Sequence, residues 1–218
     1  GRVTVNGEVV TELGVRVDSS KVTVQVDGMT VQTNDKLVYM AFNKPAGVVS
    51  TMEDPEGRPC ISDFLRSSMS ERVFHVGRLD VETEGLLLLT NDGEIKRRLE
   101  LPSTGWLRRY RVRVNGRPED SVLDPLRKGI EIEGERFQPM QVVLDRQQGA
   151  NAWLTVGLRE GKNREVRRAM EAVGLAVNRL IRVSYGPFKL EDLEPGEVRE
   201  VRSRVLRDQL GRSEERRV

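Results

Sequence analysis

The sequence predicts an α+β fold, a large mixed sheet flanked by a few helices and preceded by a short β-rich block. Three observations carry this expectation. Segments with a period of two recur along the chain, as in Val3 to Val10 and Leu107 to Val114. Helical periodicity is confined to a few stretches, clearest where Val166, Ala169, Met170 and Val173 fall on one face. No internal repeat is found, and many strands with a few interspersed helices indicate one sheet-based domain.

Taken in order, Val3-Thr4-Val5-Asn6-Gly7-Glu8-Val9-Val10 alternates around Asn-Gly, a strong hairpin signal. Val15, Val17, Val22, Val24 and Val26 continue the period, Asp27-Gly28 closes the block, and Thr30 to Lys36 reads as a polar linker. Leu37 to Phe42 is the next strand; Pro45 and Gly47 break it and set Lys44 at a turn. Asp54 to Pro59 is a polar loop, and Ile61 to Met69 a short helix capped by Ser62 or the residue before it. Val73 to Val76 is an apolar strand, and the leucines from Leu86 to Leu89 form a buried run too short for a helix of their own. Gly93 to Leu101 is helical and ends before Pro102. Leu107 to Val114 puts Tyr110, Val112 and Val114 on one face and Arg109, Arg111 and Arg113 on the other. Glu119 to Lys128 is helical and stops at Gly129; strands follow at Ile130 to Ile132, Phe137 to Leu144 and Trp153 to Leu158. Asn163 is the expected N-cap of the next helix, with Arg167 on the border between its apolar and charged faces. Val177 to Phe188 reads as a long strand broken at Gly186-Pro187, Ser203 to Leu210 as a short basic helix, and Gly211 to Val218 as a charged tail.

At 218 residues the chain accommodates one medium domain or two small ones with a sizeable core. Hydrophobic residues at 37% and charged ones at 32% describe a heavily charged surface on a folded chain. No apolar run approaches the roughly 20 residues that span a bilayer and no signal peptide is visible, so no membrane partner is expected. The single cysteine, Cys60, excludes an intramolecular disulfide and makes the cytoplasm the expected compartment. The single histidine, His75, leaves Ser-His or Cys-His catalysis and His-rich metal sites almost nothing to work with. Any catalysis therefore falls to Asp, Glu, Tyr, Lys and Arg. The net charge of +2 conceals two basic segments, Trp106 to Gly116 and Arg159 to Arg182, each at +4. Of the 36 basic residues 29 are Arg, whose planar fork suits phosphate, so one polyanion-binding face is expected; the alternative is a solvated, salt-bridged surface.

The most informative run is His75-Val76-Gly77-Arg78-Leu79-Asp80-Val81-Glu82-Thr83-Glu84-Gly85, continued through the leucines to Thr90-Asn91-Asp92-Gly93. Asp80 lies in a turn anchored by a strand on each side, with Arg78 two residues before it. Two readings stand at this point: a local turn cap whose oxygens bond nearby N–H groups, or a functional carboxylate. The pattern G-R-L-D-x-x-T-x-G-L-L-L-L-T-N-D-G resembles the catalytic motif of bacterial ribosomal-RNA pseudouridine synthases of the RsuA/RluB kind. The resemblance extends over nearly all of the chain. It implies the fold of that family, a mainly antiparallel mixed sheet flanked by helices, over residues 34–211, with a charged tail at 212–218. Residues 1–33 resemble the second half of a small RNA-binding module first seen in a small-subunit ribosomal protein. That module normally opens with two helices, which are absent here, and the chain starts at Gly1-Arg2 without Met; the expectation is a trimmed module followed by a linker.

Converting uridine to pseudouridine breaks the N1–C1′ bond, rotates the uracil and joins its C5 to C1′. Neither redox change nor group donor is needed, so no cofactor and no metal are expected. The resemblance assigns the carboxylate to Asp80, and leaves open whether it attacks the base, attacks the sugar or removes a sugar proton. The G-K-x-x-x-V-R pattern places the basic partner of that carboxylate at Arg167, the alternative being a structural arginine bonded to backbone carbonyls. Arg78 is a second candidate, or holds RNA or the local turn. Tyr110 stands where the family carries a tyrosine against the flipped base, although an alternating strand also places such a residue in the core. Leu180 and Val183 are expected as apolar wall, and Trp106 either stacks on RNA or packs as core or hinge. Lys44, Arg108, Arg109, Lys162, Arg164, Arg168 and Arg182 are expected RNA contacts. The segment Gly161 to Arg168 looks like the large-subunit branch typified by RluB, since other branches often carry His-Gln where Arg164-Glu165 stand. The expected function is thus isomerisation of one uridine in 23S ribosomal RNA, on an assembly intermediate, by a monomer. The alternatives are a non-catalytic RNA-binding or ribosome-assembly protein of the same fold, and a synthase acting on 16S rRNA or tRNA.

Overall fold

The computed structural model describes residues 1–18, 21–31, 36–65, 72–202 and 206. The chain divides into two compact units, Gly1–Lys36 and Leu37–Val218, against an expected division after residue 33. In the first unit, β1 (Val3–Val5), β2 (Glu8–Val9), β3 (Val24–Val26) and β4 (Met29–Thr30) form a sheet in the order β2-β1-β3-β4. Asn6-Gly7 joins β1 to β2 as the hairpin signal implies, with Thr4 opposite Val9. Val15 and Val17 do not extend the alternation into a strand and are exposed. Their period of two finds no partner in the β2-β1-β3-β4 sheet.

The second unit contains β5 (Tyr39–Lys44), β6 (Phe74–Val76), β7 (Glu84–Thr90), α1 (Gly93–Glu100), β8 (Arg108–Asn115), α2 (Asp124–Lys128), β9 (Ile130–Ile132), β10 (Glu135–Phe137), β11 (Gln141–Gln148), β12 (Asn151–Leu158), α3 (Glu165–Ala172), β13 (Ala176–Tyr185), β14 (Phe188–Lys189) and β15 (Val198–Glu200). Among the described residues, nine strands form one sheet in the order β11-β12-β8-β13-β7-β5-β15, with β14 paired to β13 and β6 to β7. Within it β7 and β13 run parallel, while the other named ladders are antiparallel.

The leucine run shows how the sequence builds the centre. Leu86 and Leu88 face a cluster with Tyr39, Val76, Leu99 of α1 and Tyr185. Leu87 and Leu89 face the opposite cluster with Val38, Phe42, Ile61 and Val73. Because β7 is covered on both faces, its alternation disappears into a continuous apolar run. Each buried leucine contributes about 1.5–3 kcal/mol. The other half of the sheet is covered on one face only. Val112, Val114, Leu154 and Val156 pack there against Val166, Ala169 and Met170 of α3.

Several expected elements are broken where the local chemistry changes. Phe137 to Leu144 is two strands, because Pro139 between them lacks a ladder donor. Glu119 to Lys128 begins as a 3₁₀ turn over Asp120–Leu123 before α2. The helix expected at Ile61 to Met69 is a 3₁₀ turn over Ile61–Phe64, and its cap is Cys60, whose N–H is accepted by the Asp63 carboxylate at 2.8 Å. Residues 66–69 lie outside the described residues, as do residues 32–35 of the linker and the tail from Gly211. Of the helix expected at Ser203 to Leu210, only Leu206 is described, buried at 3% exposure.

Candidate active site

The site forms where the two halves of the sheet meet. At the parallel junction Ile181 lies opposite Glu84 and Arg182 opposite Gly85. Gly85 permits this approach: its φ is +107°, and a Cβ there would lie 2.3 Å from the Arg182 carbonyl oxygen. A glycine inside an apolar strand pattern was the signal for such a contact, and sequence reasoning did not use it.

Between β6 and β7 runs the loop of residues 77–83, which carries Asp80 and is pinned almost residue by residue. Glu100 of α1 accepts the Gly77 N–H at 2.8 Å. Ser50 Oγ donates to the Leu79 carbonyl at 2.6 Å and accepts the Leu79 N–H at 3.0 Å. The Val81 carbonyl accepts from the Gly47 N–H at 2.8 Å and from Lys44 Nζ at 3.3 Å. Arg167 Nη2 donates to the Glu82 carbonyl at 3.4 Å. The loop's tight turn is closed by the Thr83 N–H on the backbone oxygen of Asp80, 3.0 Å. Among the described residues, no hydrogen bond reaches the Asp80 carboxylate itself. The local cap reading is therefore not what the geometry shows: other groups satisfy the loop's backbone, and this side chain is left half-exposed.

Beside the loop lies an open cleft of about 530 Å³. Of the residues expected at the site, Asp80, Arg78, Tyr110, Leu180, Arg108, Lys162, Arg164 and Arg182 line it. Tyr110 also packs on the core cluster that holds Leu180, so both readings of this tyrosine describe one position. Arg78 is exposed at the rim. Arg182 is buried at 3% exposure, with Nε donating to the Leu86 carbonyl and its guanidinium over the Tyr185 ring at 5.0 Å. Arg108 donates to the Arg159 and Glu160 carbonyls and also stacks on Tyr185, at 5.0 Å. Lys162 forms an ion pair with Glu160.

Four expected contacts lie elsewhere. Arg167 is buried at 8% exposure and outside the cleft lining; it bonds the carbonyls of Glu82 and, at 3.5 Å, Val177. The cation that pairs with Asp80 is Arg164, Nη1 to Oδ2 4.0 Å, with the two side chains 44% and 40% exposed. The helix border that marked Arg167 turns it inward, toward the underside of the loop. Asn163 is not the cap of α3; Arg164 takes that position with φ 48° and no side-chain cap bond, which turns its side chain out of the helix. Lys44 is fully buried and cannot reach a phosphate, since its Nζ is spent on the carbonyls of Pro45, Val48 and Val81. Burial pushes its pKa down to about 8, with the charges of Asp80 and Glu84 opposing that shift. Arg168 is drawn away to Glu135 at 2.8 Å and Glu133 at 3.7 Å. Arg109 lies on the opposite sheet face from Tyr110, so the basic strand does not present a single face to the cleft.

Two further expectations are resolved by packing. Trp106 is partly buried in the core cluster beside Tyr185, and a Cβ on Gly186 would meet its ring at 2.4 Å, so it is packing rather than an RNA platform. Val183 falls at the β13 irregularity between Arg182 and Ser184 and does not line the cleft. Sequence reasoning also passed over Glu165, a buried carboxylate in the cleft lining. Its Oε2 accepts the Lys162 N–H at 2.8 Å, and burial pushes its pKa up against the charges of Lys162 and Arg108.

A sheet of this order with a carboxylate, a tyrosine and cations around a central cleft defines a class. The chain belongs to the RNA pseudouridylate synthase family, whose model matches residues 38–172. It is an enzyme, an isomerase that converts uridine to pseudouridine in RNA. It is similar to an "uncharacterized RNA pseudouridine synthase" of Mycobacterium tuberculosis, 46% identical over 209 residues, covering 94% of this chain and 82% of the relative. A second such protein, from Rickettsia bellii, is 42% identical over 207 residues, covering 95% of this chain and 89% of the relative. A crystal structure of a pseudouridylate synthase superposes with a TM-score of 0.71 at 28% identity, covering 96% of this chain and 88% of that one.

Proposed function

We propose that this protein isomerises one uridine of 23S ribosomal RNA, acting as a monomer on an assembly intermediate in the cytoplasm, with Asp80 as the catalytic carboxylate. The observation that carries the catalytic assignment is the contrast within the loop: the backbone around Asp80 is held by Ser50, Lys44, Gly47, Glu100 and Arg167, while its carboxylate faces the cleft without a hydrogen bond among the described residues. A fixed backbone beneath a free carboxylate is pre-organisation of a reacting group. The large-subunit assignment rests on the likeness of Gly161 to Arg168 to that branch.

In this reading the target uridine leaves its helix and enters the cleft, at a cost of a few kcal/mol in unstacking. Tyr110 offers a ring to the uracil, with Leu180 as wall; such stacking contributes about 1–3 kcal/mol. Arg164 stands 4.0 Å from Asp80 and offers its carboxylate a counter-charge as water leaves. The atoms balance without a second substrate: N1–C1′ breaks, C5–C1′ forms, the proton leaves C5, and N1 ends protonated.

The test is tritium release from C5-labelled uridine in ribosomal RNA. Asp80→Asn should abolish release while leaving fold and RNA binding intact, because the amide keeps the size and loses the charge. Residual activity within about tenfold of wild type, equivalent to about 1.4 kcal/mol, removes Asp80 from the mechanism. Pseudouridine mapping of total RNA from a deletion strain, with and without complementation, decides between 23S, 16S and tRNA targets.

A further inference from the structure

The sheet face away from the cleft carries its own arginine cluster. On β8, Arg109, Arg111 and Arg113 point opposite to Tyr110, Val112 and Val114. Pairing registers extend the cluster across four strands: Arg146 lies opposite Trp153, Trp153 opposite Arg113, and Arg113 opposite Arg179. An irregularity in β11 between Leu144 and Arg146 sets that alignment. With strands about 4.8 Å apart, the four-strand face is about 14 Å across, and Arg109 to Arg113 covers a similar length along β8.

These side chains are positioned but not neutralised. Arg111 and Arg113 stack over the Trp153 ring at 4.9 and 5.8 Å, and Arg113 Nε donates to Asn178 at 2.6 Å. Among the described residues, no ion pair reaches Arg109, Arg111, Arg113 or Arg146. Arg179 is paired to Glu84, 2.9 Å, and the other acid of the face, Asp145, accepts the Thr155 hydroxyl. Five arginines against two carboxylates leave a positive surface, with Arg109, Arg111, Arg146 and Asn178 exposed.

We propose that this face is a second RNA-contact surface, which holds the phosphates of a double-helical segment of the substrate outside the cleft; the proposal rests on a large folded RNA being the substrate. Trp153 is 8% exposed beneath its arginines, so it offers no platform to an unpaired base. What the face does present is guanidinium forks spread in two dimensions on rigid strands, which suits phosphates of both strands of a helix and reads shape instead of sequence. An acidic protein partner fits less well, because the large hydrophobic exposed on this face is Val143, at 56%, and stable protein interfaces need clustered apolar anchors. A multi-helix RNA reaches both faces of the sheet; a minimal stem-loop occupies the cleft alone.

The test uses Arg109→Gln/Arg146→Gln, since neither side chain stacks on Trp153, and Arg111→Gln/Arg113→Gln as a second variant whose fold is checked by circular dichroism. The probe is an RNA duplex of G and C only, which holds no uridine to flip. Losing two phosphate contacts should lower the log–log salt slope of duplex binding by about 1.5 and weaken binding about tenfold or more. With 23S rRNA, KM should rise while kcat holds. Unchanged duplex affinity and slope in Arg109→Gln/Arg146→Gln overturn the proposal, as does loss confined to binding of an acidic protein. Absence of tritium release by the wild type from any ribosomal RNA refutes the proposed function instead, and leaves the duplex result readable by itself.

Discussion

Replacing Arg164 and Arg167 separately distinguishes the pairing seen here from the one implied by the motif. At 4.0 Å the attraction between Arg164 and Asp80 is about 1 kcal/mol in water and about 4 kcal/mol at an effective dielectric of 20. Both side chains are close to half-exposed, so solvent screening holds the pair to the low end, about 1 kcal/mol. Arg164→Gln should therefore slow the single-turnover rate at saturating RNA by about fivefold, with little change in Tm. Arg167 is different in kind. Its guanidinium bonds two carbonyls at 3.4 and 3.5 Å, and its stem is buried against the loop that carries Asp80. Arg167→Ala should cost about 2–3 kcal/mol of stability through lost packing and stranded carbonyls, and slow turnover by releasing Glu82. Arg167→Lys keeps the charge without the fork and should recover part of both. The readouts are urea unfolding and single-turnover tritium release on the same preparations. The reasoning is refuted if Arg164→Gln reacts within about twofold of wild type while Arg167→Ala loses more than about a hundredfold at unchanged stability; Arg167 would then be the charge partner during the reaction.

Tyr110→Phe should retain RNA affinity, since the ring face survives, and lower turnover; unfolding seen by circular dichroism would return Tyr110 to a purely structural role. Gly85→Ala combines a positive φ with a 2.3 Å contact to the Arg182 carbonyl, and should cost at least about 3 kcal/mol in urea unfolding; a loss under 1 kcal/mol contradicts the close approach. Lys44 titrates at about 8 when folded against an ordinary 10.5. The unfolded chain then binds more protons between those values, so the Lys44 contribution to stability rises with pH across that window and is lost as pH falls through 8. The gap is worth about 3 kcal/mol, and the difference in unfolding free energy between wild type and Lys44→Met should change by up to that amount between pH 8 and 10.5. Parallel profiles for the two proteins refute the assignment.

Periodicity and motif spacing are local properties, and what depends on them was legible in the chain. The amphipathic face of α3, the alternation of β8 and the Asn6-Gly7 hairpin each follow from a few consecutive residues, because backbone geometry sets which side chains share a face. The family likewise followed from an uninterrupted motif. Where a long polar side chain goes is not local. Lys44 and Arg168 read as cations facing RNA and Arg167 as the partner of Asp80, yet carbonyls and carboxylates from 1 to 85 residues away took them up. The distant ones, Val81, Glu82 and Glu135, come into reach only once the strands have paired. The basic strand shows both sides: its alternation, legible in the sequence, separates Arg108 from Arg109, but which face borders the cleft was decided by the pairing of β8 with its neighbours. This dependence on the assembled sheet holds above all for Asp80. Its place between two strands is written in the sequence, whereas the freedom of its carboxylate was decided by Ser50, Gly47, Glu100 and Arg167 satisfying the loop backbone in its stead, contacts that only the assembled sheet and its covering elements bring into reach.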